Sequence, residues 1–194
     1  MSEDSPTQRR SAHSTRPSRW SGLAGLAAIF VAMMAFKDVF TTLPVPILDT
    51  TYRGELDARF VDVEGQPRSL SEFRGRLVLV NVWATGCPPC RDEMPALERL
   101  RARVRDPLFA IVAISVDVGG VDVASRYLAR ESIDKLEPFA GEEQDVMGSL
   151  HVVALPTSIL LDKEGGELGR VVGPADWGSA EAEALIRNAL GVVD

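Results

Sequence analysis

The pattern of apolar and polar positions divides this chain into short, well-separated elements. Leu77–Trp83 (LVLVNVW) and Leu108–Val116 (LFAIVAISV) are nearly continuous apolar runs, as expected of strands covered on both faces. Between them, Pro88 to about Val104 carries Met94, Leu97 and Leu100 at helical spacing, with Arg and Glu in the intervening positions. Val121–Ser132 reads as an amphipathic helix and Gln144–Val152 as a shorter one. Ser158–Leu161 and Leu168–Val172 read as strands joined by the turn DKEGGE, and Ser179–Leu190 as a closing helix with Ser179 at its N-cap. Ahead of these, Arg59–Val63 and Arg68–Leu70 flank EGQP and predict a leading hairpin. Strands joined through helices imply a parallel core, and the late hairpin adds antiparallel strands at one edge. The expected class is α/β with a central mixed sheet flanked by helices.

The first fifty residues follow another pattern. Residues 1–19 are rich in Ser, Arg, Pro and Thr and predict a disordered tail. Residues 20–36 (WSGLAGLAAIFVAMMAF) are 17 residues without a charge, closed by Lys37. A helix of that length just spans a thin hydrocarbon core. A cleaved signal peptide fits poorly, because cleavage after Ala35 puts Met33 at −3. A buried core helix fits poorly directly after a basic tail. The expectation is an uncleaved signal anchor in a bacterial inner membrane. Arg9, Arg10, Arg16 and Arg19 hold its N-terminal side in the cytoplasm, and the domain that follows faces the periplasm. Residues 37–54, with Leu43–Pro44–Val45–Pro46, form a stiff linker, and the folded domain occupies 55–194.

Charge narrows the function. The whole chain of 194 residues carries −7; its first 19 residues carry +2, which leaves −9 for the remainder. An acidic body argues against a nucleic-acid partner, which requires a basic face. The only two cysteines, Cys87 and Cys90, are too few and too close to staple a small secreted fold.

Their setting points to chemistry. TGCPPC follows a buried strand and opens a helix, so Cys87 takes the N-cap, Pro88 and Pro89 follow, and Cys90 closes the first turn. The unpaired N–H groups and partial positive charge of a helix N-terminus stabilise a thiolate. Neither proline has an N–H to offer, so that of Cys90 is the first donor within reach of the Cys87 sulfur. A thiolate stabilised by so few donors favours a reductant over a strong oxidant. By position, Cys87 is the attacking thiol and Cys90 the resolving one. Zinc would need further ligands; the domain offers only His151 besides the two cysteines, with His13 across the expected membrane. No metal and no separate cofactor is expected, the redox group being the Cys87–Cys90 pair. Two thiolates also suit Cu(I), so copper carriage stays open as a second class, and a general disulfide oxidase as a third. A peroxidase is weaker, since Thr85 stands two residues before Cys87 where peroxiredoxins place it three before.

These residues carry a family resemblance. WATGCPPC (83–90), Pro95 inside the following helix and Leu155–Pro156–Thr157 resemble, in that order, the CxxC motif, helix proline and cis-proline loop of the thioredoxin superfamily. The specific likeness is to its membrane-tethered branch of TlpA, ResA and DsbE-like proteins, and GPADW (173–177) resembles the segment before that branch's last helix. The resemblance implies a thioredoxin-like fold and protein-disulfide reductase activity. It assigns substrate contacts to Trp83, Leu155, Pro156 and Thr157, and a proton-exchanging role beside Cys90 to Glu93. Implied partners are protein disulfides (apocytochrome c or copper-site proteins of cytochrome oxidase) and a membrane electron donor of the DsbD or CcdA kind. Two departures stand out: Asn81 occupies the position of thioredoxin's buried Asp, and Gly86 that of a Trp common in relatives.

Overall fold

The computed structural model describes residues 54–191. The expected tail, the anchor and all but the last residue of the linker lie outside the described residues. Among those described, no helix is long and apolar enough to cross a membrane.

Seven strands form one mixed sheet in the order β2-β1-β5-β4-β3-β6-β7. They are β1 (Arg59–Val61), β2 (Pro67–Ser69), β3 (Leu77–Trp83), β4 (Phe109–Ser115), β5 (Phe139–Ala140), β6 (Thr157–Leu161) and β7 (Glu167–Val172). β3 runs parallel to β4 and β4 to β5, whereas β6 is antiparallel to β3 and β7 to β6. Among the described residues four α-helices accompany them: α1 (Pro88–Arg103), α2 (Val121–Arg130), α3 (Glu143–Ser149) and α4 (Ala180–Leu190). Leu70, which read as strand, instead opens a 3₁₀ turn over Leu70–Phe73. Its start is satisfied by a capping box between Ser69 and Glu72, which competes with further strand pairing.

Every residue of β3 and β4 is buried, as two-sided coverage requires. The two-residue period of a strand then sorts side chains between two cores. Leu77, Leu79, Trp83, Phe109 and Ile111 join a core with Cys90, Met94, Leu97 and Leu100 of α1, Tyr127 and Leu128 of α2 and Ile186 of α4. Val78, Val80, Val82, Val112 and Ile114 face the other way, onto Leu56, Phe60, Phe73, Phe139 and Leu150. By this alternation Asn81 falls on the α1 side of the sheet.

The two strand pairs β1–β2 and β6–β7 turn by the same local device. In each, an Asp Oδ1 accepts backbone N–H groups two and four residues on: Asp62 from Glu64 (3.1 Å) and Gln66 (2.8 Å), Asp162 from Glu164 (3.0 Å) and Gly166 (2.7 Å). The residue three on is a glycine at positive φ in both, Gly65 at 74° and Gly165 at 90°, where a side chain would be strained.

Pro95 lies inside α1, which runs on past it for two turns. A proline cannot donate to the carbonyl four residues back, here that of Arg91. The hydroxyl of Tyr127 donates to that carbonyl instead, at 3.3 Å, while its ring lies against Trp83 with centroids 5.3 Å apart. One side chain of α2 thus ties the proline-containing helix to the end of β3.

Candidate active site

Cys87 occupies the N-cap of α1 with extended backbone (φ −98°, ψ 106°), and Pro88 and Pro89 fill the first two helical positions. The Cys90 N–H donates to Cys87 Sγ at 3.3 Å, the contact expected once both prolines are excluded as donors. The two sulfurs are joined in a disulfide, with Cα atoms 5.3 Å apart. Cys87 is half-buried and Cys90 only 1% exposed, so an incoming thiolate meets Cys87 first. Gly86 and Pro88, on either side, are exposed, and a Cβ built on Gly86 would meet nothing within 4 Å. The surface beside Cys87 is therefore open at Gly86.

The loop before Cys87 is held from β4. Asp117 accepts the Thr85 N–H at 2.8 Å through Oδ2 and the Thr85 hydroxyl at 2.8 Å through Oδ1. Its own carboxylate is oriented by the Ser115 hydroxyl, which donates to Oδ2 at 2.8 Å. Sequence reading did not find Asp117. It lies 32 positions from Thr85, and only the parallel register that sets Trp83 beside Ser115 brings the two together.

The Leu155–Pro156 peptide is cis. Thr157 begins β6 opposite Val82, so the loop before it sits at the same sheet end as the start of the CxxC segment. The loop is pinned on both flanks: the Thr157 hydroxyl donates to the Ala154 carbonyl (2.7 Å), and the Gly173 N–H to the Pro156 carbonyl (2.8 Å). Arg170, paired with buried Glu167, donates to the Leu150 and His151 carbonyls, each at 3.1 Å. Leu155 is half-buried and packs against the same core as Cys87. Pro156 is buried, whereas Val153 is 83% exposed and Ala154 is exposed.

Three of the four residues assigned substrate contacts, Trp83, Pro156 and Thr157, are buried. Trp83 is 1% exposed and packed on Tyr127, and Thr157 is 0% exposed and hydrogen-bonded within its own loop. Neither side chain has surface to offer a partner; both support the site from behind. The outer, apolar rim of this loop is instead Val153 and Ala154, with Leu155 half-buried against the core that Cys87 also packs on.

Glu93 lies one turn beyond Cys90 on α1, on the face that the i, i+3 spacing gives to both. It is 4% exposed, and among the described residues neither carboxylate oxygen has a hydrogen-bond partner. Burial pushes its pKa up to about 8. The Trp177 side chain, the Ala175 backbone and the Asn81 side chain face the carboxylate and oppose that rise, without closing hydrogen bonds of good geometry. At neutral pH the oxidised site therefore holds mostly a neutral carboxylic acid one helical turn from the buried Cys90. His151 stands at the surface in the turn after α3, and no cluster of three metal-ligating side chains occurs among the described residues.

The model of the AhpC/TSA family matches residues 52–166, more than half of the chain and the whole stretch from β1 to the cis-proline loop. The chain belongs to that family. Within it, the chain is 31% identical over 150 residues to the thiol-disulfide oxidoreductase ResA of Halalkalibacterium halodurans, covering 75% of this chain and 81% of the relative. It is 30% identical over 112 residues to ResA of Bacillus thuringiensis, covering 58% of this chain but only 64% of that relative's length. Among solved structures, a thioredoxin-family thiol:disulfide interchange protein from Chlorobium tepidum is similar at 25% identity and a TM-score of 0.60. That match covers 74% of this chain and 100% of the other. The thioredoxin-like α/β fold is thereby shown.

Proposed function

We propose that this AhpC/TSA family member is a thiol–disulfide oxidoreductase that reduces disulfides in target proteins through Cys87 and Cys90. The observation that carries the reading is the half-buried Cys87 at a helix N-cap, joined to a buried Cys90 that has a buried carboxyl group one turn behind it. In the working direction, the reduced Cys87 thiolate attacks a target disulfide, forming a mixed disulfide and releasing one target thiolate. Glu93 takes the proton from the Cys90 thiol. The Cys90 thiolate attacks Cys87 Sγ, closing the 87–90 disulfide and releasing the second target thiolate. Two electrons pass to the target. Recharging runs the same steps backwards: a donor thiolate opens the disulfide at Cys87, and Glu93 returns its proton to the departing Cys90 sulfur. A group that is protonated in the oxidised form suits that return.

Reducing rather than oxidising work is supported by the sparse donors at Cys87, a single N–H at 3.3 Å. The uncharged run 20–36 after a basic tail supports a single-pass inner-membrane protein whose catalytic domain faces the periplasm. Because that compartment is oxidising, a membrane donor of the DsbD or CcdA kind must supply electrons. Apocytochrome c or copper-site proteins are the targets we infer.

Trapping tests the reading. Full-length Cys90→Ser protein, reduced and mixed with a disulfide-containing target, is expected to accumulate a mixed disulfide at Cys87 that dithiothreitol releases. No adduct with Cys90→Ser, or an adduct that persists in Cys87→Ser, would overturn it.

A further inference from the structure

The cis-proline loop hangs from β7 and the residue after it. At the end of the loop the Gly173 N–H donates to the Pro156 carbonyl at 2.8 Å. At its start, Nη1 of Arg170 on β7 donates to the carbonyls of both Leu150 and His151, at 3.1 Å each. Val152–Leu155 are carried between these two anchors.

The way α3 ends explains why the start needs one. The Leu150 N–H donates to the Val146 carbonyl (3.1 Å), that of His151 to Gly148 (3.3 Å) and that of Val152 to Met147 (2.8 Å). Such a helix end calls for one left-handed residue, and His151 supplies it at φ 51°, where glycine is the usual choice. The Leu150 and His151 carbonyls lie past the last turn, where the helix itself has no donor to offer. Arg170 supplies one, and is itself held. Its Nε and Nη2 donate to the two carboxylate oxygens of Glu167 at 2.7 and 2.5 Å, a bidentate pair that leaves Nη1 for the carbonyls. The Glu167 side chain is fully buried and that of Arg170 is 11% exposed. Burying two charges costs about what their attraction returns, so stability is a weak reason for such a pair. A fixed direction for the planar guanidinium is a better one.

We propose that Arg170, oriented by Glu167, is a positioning residue for disulfide exchange: it fixes where the loop leaves α3, and so where Val153 and Ala154 stand to receive a target polypeptide. Both side chains act through the backbone of the loop. β6 follows that loop and is antiparallel to β3, so the loop lies at the sheet end from which the CxxC segment departs. The consequence is selectivity. A protein disulfide, which lays its flanking chain along the loop, depends on Arg170; a small disulfide, which meets Cys87 alone, depends on it much less. This inference deepens the exchange reading above and rests on it for the class of substrate.

The test uses full-length protein carrying Glu167→Leu and Arg170→Met together, which removes both charges and the donor to the loop. Exchanging a buried pair for apolar side chains of similar size commonly preserves a fold. The kcat/KM for a protein disulfide is expected to fall several-fold, through KM, and that for a small disulfide much less. Equal losses with the two substrates, or no loss, overturn the proposal. Where the double variant does not fold, Arg170→Lys decides: it keeps the charge without the fork and is expected to show the same split more weakly. No split there, or a fold lost with lysine too, overturns the proposal. Loop position is also read without turnover, from amide resonances of the oxidised protein. Those of Val153, Ala154 and Leu155 are expected to move in whichever variant folds, and unmoved resonances overturn the proposal whatever the exchange assay gives. Moved resonances beside an unsubstituted protein that reduces neither substrate count against the proposed function and leave the hold of Arg170 on the loop in place.

Discussion

Asp117 holds Thr85 by both its backbone N–H and its hydroxyl, each at 2.8 Å, and so fixes the loop that delivers Cys87 to the start of α1. A carboxylate at the end of β4 is thereby part of the scaffold of a site on β3 and α1. Hydrogen bonds to a charged group contribute about 1.5–3 kcal/mol each when removal leaves a donor unmet. Asp117→Ala is expected to lose about 2–3 kcal/mol of stability in urea titrations, because water can partly replace the carboxylate at this half-buried position. It should also slow exchange with small disulfides. Thr85→Val, which keeps the shape and the backbone donor, is expected to lose about 1 kcal/mol. Equal effects from the two variants would mean that the backbone contact contributes nothing.

Glu93 makes the oxidised protein sensitive to pH. Its folded-state pKa of about 8 stands above the ordinary 4.5 because burial disfavours the ion. Below pH 4.5 folded and unfolded chains both hold the proton, and the group's contribution is fully present. Between there and about 8 only the folded chain holds it, so stability falls as pH rises, and the loss is complete above the folded value. From pH 4.5 to 7 the loss amounts to about 3 kcal/mol. Glu93→Gln is expected to flatten this slope in chemical denaturation of the oxidised protein. An unchanged slope would show that the carboxyl group is solvated.

The apolar rim is testable without disturbing the core. Val153 of the cis-proline loop is 83% exposed and lies outside both hydrophobic cores. Val153→Asp is expected to leave the melting temperature within experimental scatter and the rate with a small disulfide unchanged, while slowing reduction of a protein disulfide several-fold. Equal rates with both substrates would place the protein-binding surface elsewhere.

How much of this was legible in the sequence follows from how local each signal is. Leu77–Trp83 was predicted to the residue and β4 to within one, since a strand buried on both faces writes its length as an unbroken apolar run. Cys87 at the N-cap, the Cys90 N–H contact and Pro95 inside the helix are also local, being set by residues within one or two helical turns. β5 went unpredicted: Phe139–Ala140 is too short to show a period and exists because it closes the gap between β4 and β1. Asp117 and Tyr127 went unrecognised for a related reason. Each acts on a residue more than thirty positions away, through the sheet register or helix packing, and nothing in its own neighbourhood marks it. The substrate roles given to Trp83 and Thr157 came with the motif, which does not say which of its residues reach the surface.

Reductant chemistry at Cys87 and Cys90 is tested most directly by the equilibrium reduction potential of the full-length protein against defined thiol buffers. The single N–H at the Cys87 sulfur predicts a value well below about −200 mV, where the disulfide is the favoured form and the dithiol a good donor. A value near about −120 mV, at the oxidant end of the thioredoxin-like range, would contradict the account.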